Sequence, residues 1–421
     1  MRSLYNLLLH LFLLLLWPVA LVLLIHPGYS GRLRGRMGFG LGSLLREQQR
    51  QSIWIHALSV GEVTSALPLI QRLLNTSTFA IVLSSTTTSG METARRLLPD
   101  EVPVIPAPLD HPLIIQAFIR AIRPPLFILV ETDFWPNWLL RLNDAEVPTM
   151  LVNGRVSEQS AAAYRRFAPF CRALFRSFTL LGMQSAVDVE RMQALGVERD
   201  RLLRLGNLKY AACAANTGQT NQGPELEELG FSRDAPLWVC GSTHHGEEAL
   251  LLESFKALQN TIPDIQLLLA PRSPARSDQI AGLCAEKRLA VRKRSQGGQG
   301  PLLILDSLGE LSGCYRHADI AFIGGSLVPE GGHNPIEPAA FGVPVLFGPH
   351  MEDFPEISAE LLASNGAFQI DTAAALTVQV RELLTNETLR HQAGQAALDQ
   401  VTLHTSVIDK HLVYIKRLLE R

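Results

Sequence analysis

Short apolar runs rich in β-forming residues alternate with amphipathic helical patterns along nearly the whole chain. The run "SIWIHAL" precedes a helical pattern near 63–74, "FAIVLSST" precedes "SGMETARRLL", and "LFILVET" precedes a helix near 135–143. A repeated strand–helix–strand order favours parallel pairing of the strands. We therefore expect a doubly wound α/β fold, in which ligands bind at the carboxyl ends of the strands.

A second alternating set begins near residue 235 with "APLWVCGST" and continues through "IQLLLAPRS", "DIAFIGGS" and "VPVLFGP". Between the two sets, "AACAANTGQTNQ" is small and polar and has no hydrophobic period, which is typical of a linker. We predict a first domain over 28–210, a linker over 211–224 and a second domain over 225–405. A helix over 406–421 is expected to pack back on the first domain. Two such domains would form a cleft in which a ligand could bind.

The N-terminus is unusually apolar. As a helix, "LYNLLLHLFLLLLWPVALVLLI" would be about 33 Å long, enough to cross a bilayer core. Its length, Pro18 and the lack of a small-residue cleavage pattern argue against a signal peptide, whereas a helix that lies in the membrane interface remains an alternative. Three arginines follow in "GRLRGRMG", and positive charge marks the cytoplasmic side. We predict an uncleaved membrane-anchor helix over 1–27, with the rest of the chain cytoplasmic.

Charge and cysteine content narrow the classes of function. The 421 residues include 38 Lys and Arg against 40 Asp and Glu, a net charge of -2 that predicts no binding to nucleic acid. The five cysteines are scattered and form no CxxC pair, which argues against a disulfide framework and a zinc ribbon. We expect them to be small core residues in a reducing compartment.

The most informative stretch is "FIGGSLVPEGGHNPIEPAAFGVPVLFGP". Gly331 and Gly332 would allow close approach of the backbone to a ligand, and Pro335 occupies an expected first helical position. Backbone N–H groups at such a helix start favour a phosphate, and Glu337 can accept hydrogen bonds from ribose hydroxyls. A P-loop and a dinucleotide-binding GxGxxG fingerprint are both missing, which counts against a dehydrogenase. A glycine-rich corner without a ligand remains the alternative.

Several long motifs occur together and in order: "HALSVGE", "ETDFWPN", "NGRVS", "GSTHHGEE", "APRSPAR" and "GGSLVPEGGHNPIEPAAFG". As a set they resemble the motifs of 3-deoxy-D-manno-octulosonic acid (Kdo) transferases, the lipid A glycosyltransferases of Gram-negative bacteria. The resemblance implies the GT-B fold, two Rossmann-like domains facing a cleft. It also implies CMP-Kdo as donor, the lipid A precursor (lipid IVA) as acceptor, no cofactor, and a location at the cytoplasmic face of the inner membrane.

The resemblance assigns three catalytic residues. Glu62 of "SVGE" matches the family's general base, which takes the acceptor hydroxyl proton during an inverting attack. Without the resemblance, an acid at this helix start is explained equally well by the helix dipole. Glu131 of "ETDFWPN" and Lys209 of "GNLKY" match positions regarded as stabilising the transition state, where a lysine can neutralise charge on the leaving CMP. Taken alone, Lys209 is typical of a solvated lysine.

Three further segments match the family's CMP-binding residues. These are Pro271 and Arg272, then Leu308, Gly309 and Glu310, and finally Asn334, Pro335, Ile336 and Glu337. Arg272 can make forked contacts to phosphate or carboxylate, and the donor carries both groups. Ser273 stands where many family members have His, which puts a role for this third residue in doubt.

Two motifs superficially suggest metal ions. In "THHGEE" the adjacent His244 and His245 would diverge, and the HExxH spacing is absent. We expect instead a strand–loop–helix corner in which Ser242 and Thr243 cap the helix or contact the donor. The acids of "ETD" resemble a Mg²⁺ pair, but the family implied by the resemblance needs no metal. We predict no metal site.

The acceptor groove is expected to involve the polar corners "SSTTTSGMETARR" and "NGRVS". Arg155, Arg165 and Arg166 are candidates for the phosphates of the lipid, although a solvated basic helix face equally explains the last two. Two other functions remain open. One is a UDP-sugar transferase or epimerase with a similar glycine-rich loop, and the other is a membrane-tethered nucleotide-binding scaffold without catalysis.

Overall fold

The computed structural model describes residues 2–45, 51–219, 223–404 and 406–420. The chain divides into two compact units: Met1–Ala212 with Ser406–Arg421 form unit 1, and Cys213–Thr405 form unit 2. Each unit contains a sheet of seven strands whose pairings are all parallel. The predicted doubly wound α/β architecture is therefore confirmed.

Unit 1 alternates strands and helices. Its strands are β1 Ser52–His56, β2 Ala80–Ser85, β3 Val104–Pro106, β4 Phe127–Val130, β5 Thr149–Gly154, β6 Leu180–Met183 and β7 Leu202–Arg204. Its helices before the unit boundary are α1 Arg2–Ile25, α2 Pro27–Arg36, α3 Leu41–Leu44, α4 Val60–Thr76, α5 Thr88–Leu97, α6 Pro112–Ile122, α7 Pro136–Asp144, α8 Glu158–Arg166, α9 Ala168–Phe175 and α10 Ala186–Ala194. The strand order is β3-β2-β1-β4-β5-β6-β7, so the chain changes direction across the sheet between β1 and β4.

Both faces of the unit 1 sheet are covered. Trp54 of β1 packs in a cluster with Phe127 and Trp138, whereas its neighbours Ile53 and Ile55 pack in a second cluster on the opposite face. Side chains that alternate between two buried faces explain why the three central residues of the strand "SIWIH" are all apolar. Its two polar side chains, at either end, are buried as well.

Unit 2 repeats the same plan. Its strands are β8 Leu237–Thr243, β9 Gln266–Pro271, β10 Arg292–Lys293, β11 Leu302–Ile304, β12 Ile320–Ile323, β13 Val345–Phe347 and β14 Ala367–Gln369. Its helices are α12 Glu247–Leu258, α13 Ser277–Glu286, α14 Leu311–Cys314, α15 Ile336–Ala339, α16 Pro355–Ala363, α17 Ala373–Thr385 and α18 Glu387–Leu403. The order β10-β11-β9-β8-β12-β13-β14 places the change of direction between β8 and β12.

All five cysteines are free and buried, as expected for small core residues. In β8, Cys240 packs with Trp238 on one face of the sheet, and Val239 packs on the other. The alternation again reflects a strand covered on both sides.

The unit boundary lies inside a helix, α11 Leu208–Gln219, rather than in the irregular linker predicted over 211–224. Its sequence begins "LKYAACAA", and alanine has the highest helix propensity, which explains why this small-residue segment is ordered as a helix. The last helix, α19 Val407–Leu419, belongs to unit 1. Its buried Val407 and Ile415 pack in the same cluster as Leu69 of α4.

The N-terminal helix α1 contacts unit 1 through its polar residues. The Tyr5 hydroxyl donates a hydrogen bond of 2.7 Å to Asp110 Oδ2, and Arg2 lies 2.7 Å from Asp144 Oδ2. Among the described residues, no helix combines the length and the hydropathy that crossing a membrane requires. The predicted anchor therefore stays a prediction.

Candidate active site

Glu62 lies at the corner between β1 and α4, in the first turn of the helix. Its Oε2 accepts a hydrogen bond of 2.5 Å from the backbone N–H of Leu58, so the carboxylate reaches back over the helix start. The N-cap residue Ser59 makes no side-chain capping bond, and the N–H that Glu62 binds belongs to Leu58, just before the helix. The side chain is only 7% exposed. Glu62 is therefore not a solvated acid, although it does lie at the positive end of the helix dipole.

Burial raises the pKa of Glu62 to about 8. The Leu58 N–H opposes this shift, and the negative charges of Glu131 and Asp133 add to it. A carboxyl group in such surroundings can exchange a proton near neutral pH, as a general base must.

Glu131 follows β4 directly and has a positive φ of 61°, an unfavourable conformation for a residue with a side chain. Asn153, at the end of β5, is likewise left-handed with a φ of 57°. Its Nδ2 donates to Glu131 Oε1 at 3.3 Å, while its Oδ1 accepts the backbone N–H of Leu208 at 2.8 Å. Asn153 thus links the end of β4 to the start of α11, the helix that carries Lys209.

This link places Lys209 near Glu131. Burial raises the pKa of Glu131, and the positive charges of Lys209 and Arg155 partly offset that rise. All three side chains belong to unit 1 and lie at the carboxyl edge of its sheet. The structure thus brings two of the predicted catalytic residues together and adds Arg155, one of the proposed phosphate ligands. Arg165 and Arg166 are exposed in the last turn of α8.

A buried hydrogen-bonded chain leads to the second acid of "ETD". Trp54 Nε1 donates to Ser84 Oγ at 2.9 Å, and Ser84 Oγ lies 3.0 Å from His56 Nδ1. His56 Nε2 lies 3.1 Å from Asp133 Oδ2. Asp133 therefore bonds to a histidine, and the described residues contain no group of three or more His, Cys, Asp or Glu that could hold a metal ion.

In unit 2, the predicted CMP-binding residues follow strands β9, β11 and β12. Pro271 is buried at the end of β9, and the next residue, Arg272, is exposed. Glu310 is bound by Arg294, whose Nη2 lies 3.0 Å from Oε1, and by Ser307. Leu308 is 81% exposed, and Gly309 has a φ of 87°. This segment therefore offers a ligand its backbone, because the carboxylate of Glu310 is already engaged.

In the "NPIE" segment, the Asn334 side chain bonds to other residues of the same segment. Asn334 Oδ1 accepts the Ile336 N–H at 3.1 Å, and Asn334 Nδ2 donates to Glu337 Oε1 at 3.3 Å. Burial raises the pKa of Glu337. The helix α15 has only four residues, and Pro335 precedes it instead of occupying its first position. So short a helix has little dipole, so the expected phosphate site at its start is not supported.

The "THHGEE" corner is held by its acids and not by the predicted caps. Neither Ser242 nor Thr243 caps α12, which begins at Glu247 after Gly246 without a side-chain cap. Glu247 is fully buried, and its carboxylate accepts four backbone N–H groups at 2.8–3.0 Å, from His244, Gly325, Ser326 and Leu327. These bonds join the end of β8 to the glycine-rich loop after β12. The sequence analysis assigned Glu247 no such role, because three of the four donors lie 78–80 residues away in the chain.

Comparisons with known proteins identify the family of the chain. A family described as "3-Deoxy-D-manno-octulosonic-acid transferase (kdotransferase)" matches residues 31–212. The 3-deoxy-D-manno-octulosonic acid transferase of Haemophilus influenzae is 34% identical over 415 residues, which are 97% of this chain and 96% of that protein.

Two solved structures are similar in fold. The UDP-GlcNAc 2-epimerase of Neisseria meningitidis has a TM-score of 0.63 and 11% identity, and it aligns over 88% of this chain and 100% of its own. A glycosyltransferase of Rickettsia africae has a TM-score of 0.56 and 13% identity over 89% of this chain and 100% of its own. At these identities the likeness shows the GT-B fold alone, which confirms the predicted fold class.

Proposed function

The chain belongs to the family of Kdo transferases, and from this premise we propose that it transfers Kdo from CMP-Kdo to a lipid A precursor with Glu62 as general base. Its membership makes it a glycosyltransferase of lipopolysaccharide biosynthesis. The observation that carries the finer proposal is the Glu62 carboxyl group, which is buried, has a pKa of about 8 and lies where the unit 1 sheet changes direction.

The proposed reaction is a single inverting displacement. The acceptor hydroxyl oxygen forms a bond to the anomeric carbon of Kdo while its proton passes to Glu62. The bond from that carbon to the phosphate oxygen breaks, and the electron pair leaves with CMP. One carboxylate is sufficient because no covalent enzyme intermediate forms. The raised pKa supports this role, since a base is most effective when its pKa lies near the working pH.

Lys209 and Glu131 are proposed to stabilise the transition state. Negative charge grows on the phosphate as CMP leaves, and a nearby ammonium group lowers the energy of that state. The link through Asn153 supports the assignment, because it holds the start of α11 against Glu131. The left-handed backbone at both Glu131 and Asn153 also supports it, since such strain is concentrated at functional sites.

Unit 2 is proposed to bind the CMP part of the donor. Arg272 supports this assignment as an exposed guanidinium at the carboxyl end of β9, able to bind an oxyanion in a forked geometry. The exposed backbone at Leu308 and Gly309 is suited to the base. Glu337, which binds Asn334 through Oε1, keeps acceptor capacity for the ribose hydroxyls.

The acceptor is proposed to be lipid IVA, bound at the cytoplasmic face of the inner membrane with α1 as the membrane contact. In support, α1 exposes many large apolar side chains, among them Leu4, Leu7, Leu8, Leu11, Phe12, Leu14, Leu15 and Trp17. A patch of this kind is typical of a surface that meets lipid or another apolar partner.

A transfer assay with CMP-Kdo and lipid IVA tests the proposal, with the glycolipid product detected by mass spectrometry. Glu62→Gln should lower the rate by about 10²–10⁴-fold and leave the affinity for CMP, measured by calorimetry, unchanged. Glu190→Gln, at an exposed residue of α10, is the matched control and should keep full activity.

Three outcomes would contradict the proposal. A fully active Glu62→Gln enzyme would exclude Glu62 as the base. Tighter binding of UDP than of CMP would favour a UDP-sugar enzyme with the same fold. A wild-type chain that binds CMP but forms no product would favour a scaffold without catalysis.

A further inference from the structure

Two histidines of unit 2 lie face to face at the carboxyl edge of its sheet. His244 Nε2 lies 2.8 Å from His333 Nε2, and the rings are stacked with centroids 5.0 Å apart and an interplanar angle of 23°. His244 follows β8, and His333 lies in the glycine-rich loop that follows β12. These are the two strands between which the unit 2 sheet changes direction, the point where ligands bind in open α/β sheets.

The surrounding backbone fixes both rings. The buried Glu247 carboxylate accepts the backbone N–H of His244 and that of Gly325 in the loop, both at 2.8 Å. Gly325 has a φ of 69°, and a Cβ added there would come within 3.3 Å of the His333 ring. The preceding Gly324 leaves no room for any side chain, since a Cβ would lie 2.3 Å from the Ser242 carbonyl oxygen. The two histidines are therefore held in place by the fold and are not a chance surface contact.

Groups of both charge signs surround the pair, and the guanidinium of Arg272 supplies the positive charge. Burial lowers the pKa of His333 to about 4, and the positive fields of His244 and Arg272 lower it further. Glu330 lies 3.9 Å from His244 Nδ1, and Glu247 faces the backbone of His244. Asp353 lies against Gly331 of the same loop. Because one Nε2 must donate to the other at this distance, an oxyanion that replaced this bond would find an N–H donor there, beside the guanidinium of Arg272.

We propose that His244, His333 and Arg272 form a subsite that binds an oxyanion of the sugar-nucleotide donor, either its phosphate or the carboxylate of its sugar. The subsite rests on the proposed function for the identity of the donor. Neither histidine was assigned a ligand in the sequence analysis, where contact with the donor at this corner was expected only from Ser242 and Thr243.

Binding by the wild type, His333→Gln and His244→Gln distinguishes the two oxyanions. Calorimetry with CMP and with cytidine reports on the phosphate, and the KM for CMP-Kdo reports on the whole donor. Loss of a charge-assisted hydrogen bond is expected to weaken binding by about 10–100-fold. His391→Gln, at an exposed residue of α18, is the matched control. Both test residues are partly exposed, so melting temperatures should stay near that of the wild type.

Each outcome either supports or overturns the proposed oxyanion subsite. Weaker binding of CMP but not of cytidine supports the subsite and assigns it to the phosphate. Unchanged CMP binding with a higher KM for the donor supports it and assigns it to the carboxylate. Equal losses for CMP and cytidine, or no loss at all, would overturn the subsite while leaving the proposed function intact. A wild-type chain with no affinity for CMP would overturn both.

Discussion

His56 and Asp133 are joined by a hydrogen bond of 3.1 Å between Nε2 and Oδ2. His56 has no exposed surface, and its other ring nitrogen lies 3.0 Å from Ser84 Oγ, which in turn accepts the Trp54 N–H. Both nitrogens of the ring are therefore engaged, and the ring cannot turn. Asp133 is held as a fixed negative charge whose field raises the pKa of Glu62. Burial of Glu62 is the larger cause of that rise, and the charges of Glu131 and Asp133 add to it.

The pH dependence of transfer follows from the pKa of Glu62, about 8. Only the ionised carboxylate can accept a proton, so kcat/KM should rise with pH and level off above about 8. Two pH units below that value, about 1% of the carboxylate is ionised, and the rate should be about a hundredfold lower. Initial rates at low donor concentration measure this profile, and an ascending limb centred near pH 4.5 would contradict it.

Replacing Asp133 should shift that profile. Asp133→Asn removes a like charge near Glu62 while keeping an oxygen that can accept from His56, so the ascending limb should move to lower pH by about half a unit. Asp100→Asn, at an exposed position after α5, should leave the limb unchanged. A lower rate with no shift of the limb would mean that Asp133 acts only on the structure.

The sequence predicts which residues lie at the carboxyl edges of the two sheets, but it does not predict the hydrogen bonds between them. Glu62 and Glu131 each follow a recognisable apolar strand, so their placement at the carboxyl edge could be expected. The link through Asn153 could not be expected from the sequence, because it depends on the register of β5 against β4 and on the start of α11. The four donors of Glu247 likewise depend on the pairing of β8 with β12. The expected helix start at Pro335 was also displaced by one residue, because Pro335 is the N-cap of α15 and not its first residue.

Glu62→Gln should increase stability in a pH-dependent way. The pKa of Glu62 is raised on folding, so its stabilising contribution is fully present below the pKa of the unfolded chain, near 4.5. That contribution is lost as the pH rises toward 8, because Glu62 ionises in the unfolded chain while it stays protonated in the folded protein. The variant should therefore match the wild type at pH 4.5 and exceed it by at least about 1 kcal/mol at pH 8. Urea unfolding at both values measures this, and an equal effect at both would contradict it.

Loss of Arg276 alone should destabilise the protein, whereas loss of both Glu248 and Arg276 should cost much less stability. Arg276 Nη1 and Nη2 lie 2.6 and 3.1 Å from the two oxygens of Glu248, whose side chain has no exposed surface, whereas that of Arg276 is 21% exposed. Arg276→Met leaves a buried charge unpaired and should lower the free energy of unfolding by about 3 kcal/mol. The double variant Glu248→Leu with Arg276→Met removes both charges and should recover most of that loss. Arg381→Met, at an exposed residue of α17, is the control for the loss of a surface arginine. A double variant as unstable as Arg276→Met alone would show that the two side chains stabilise unit 2 through packing and not through their charges.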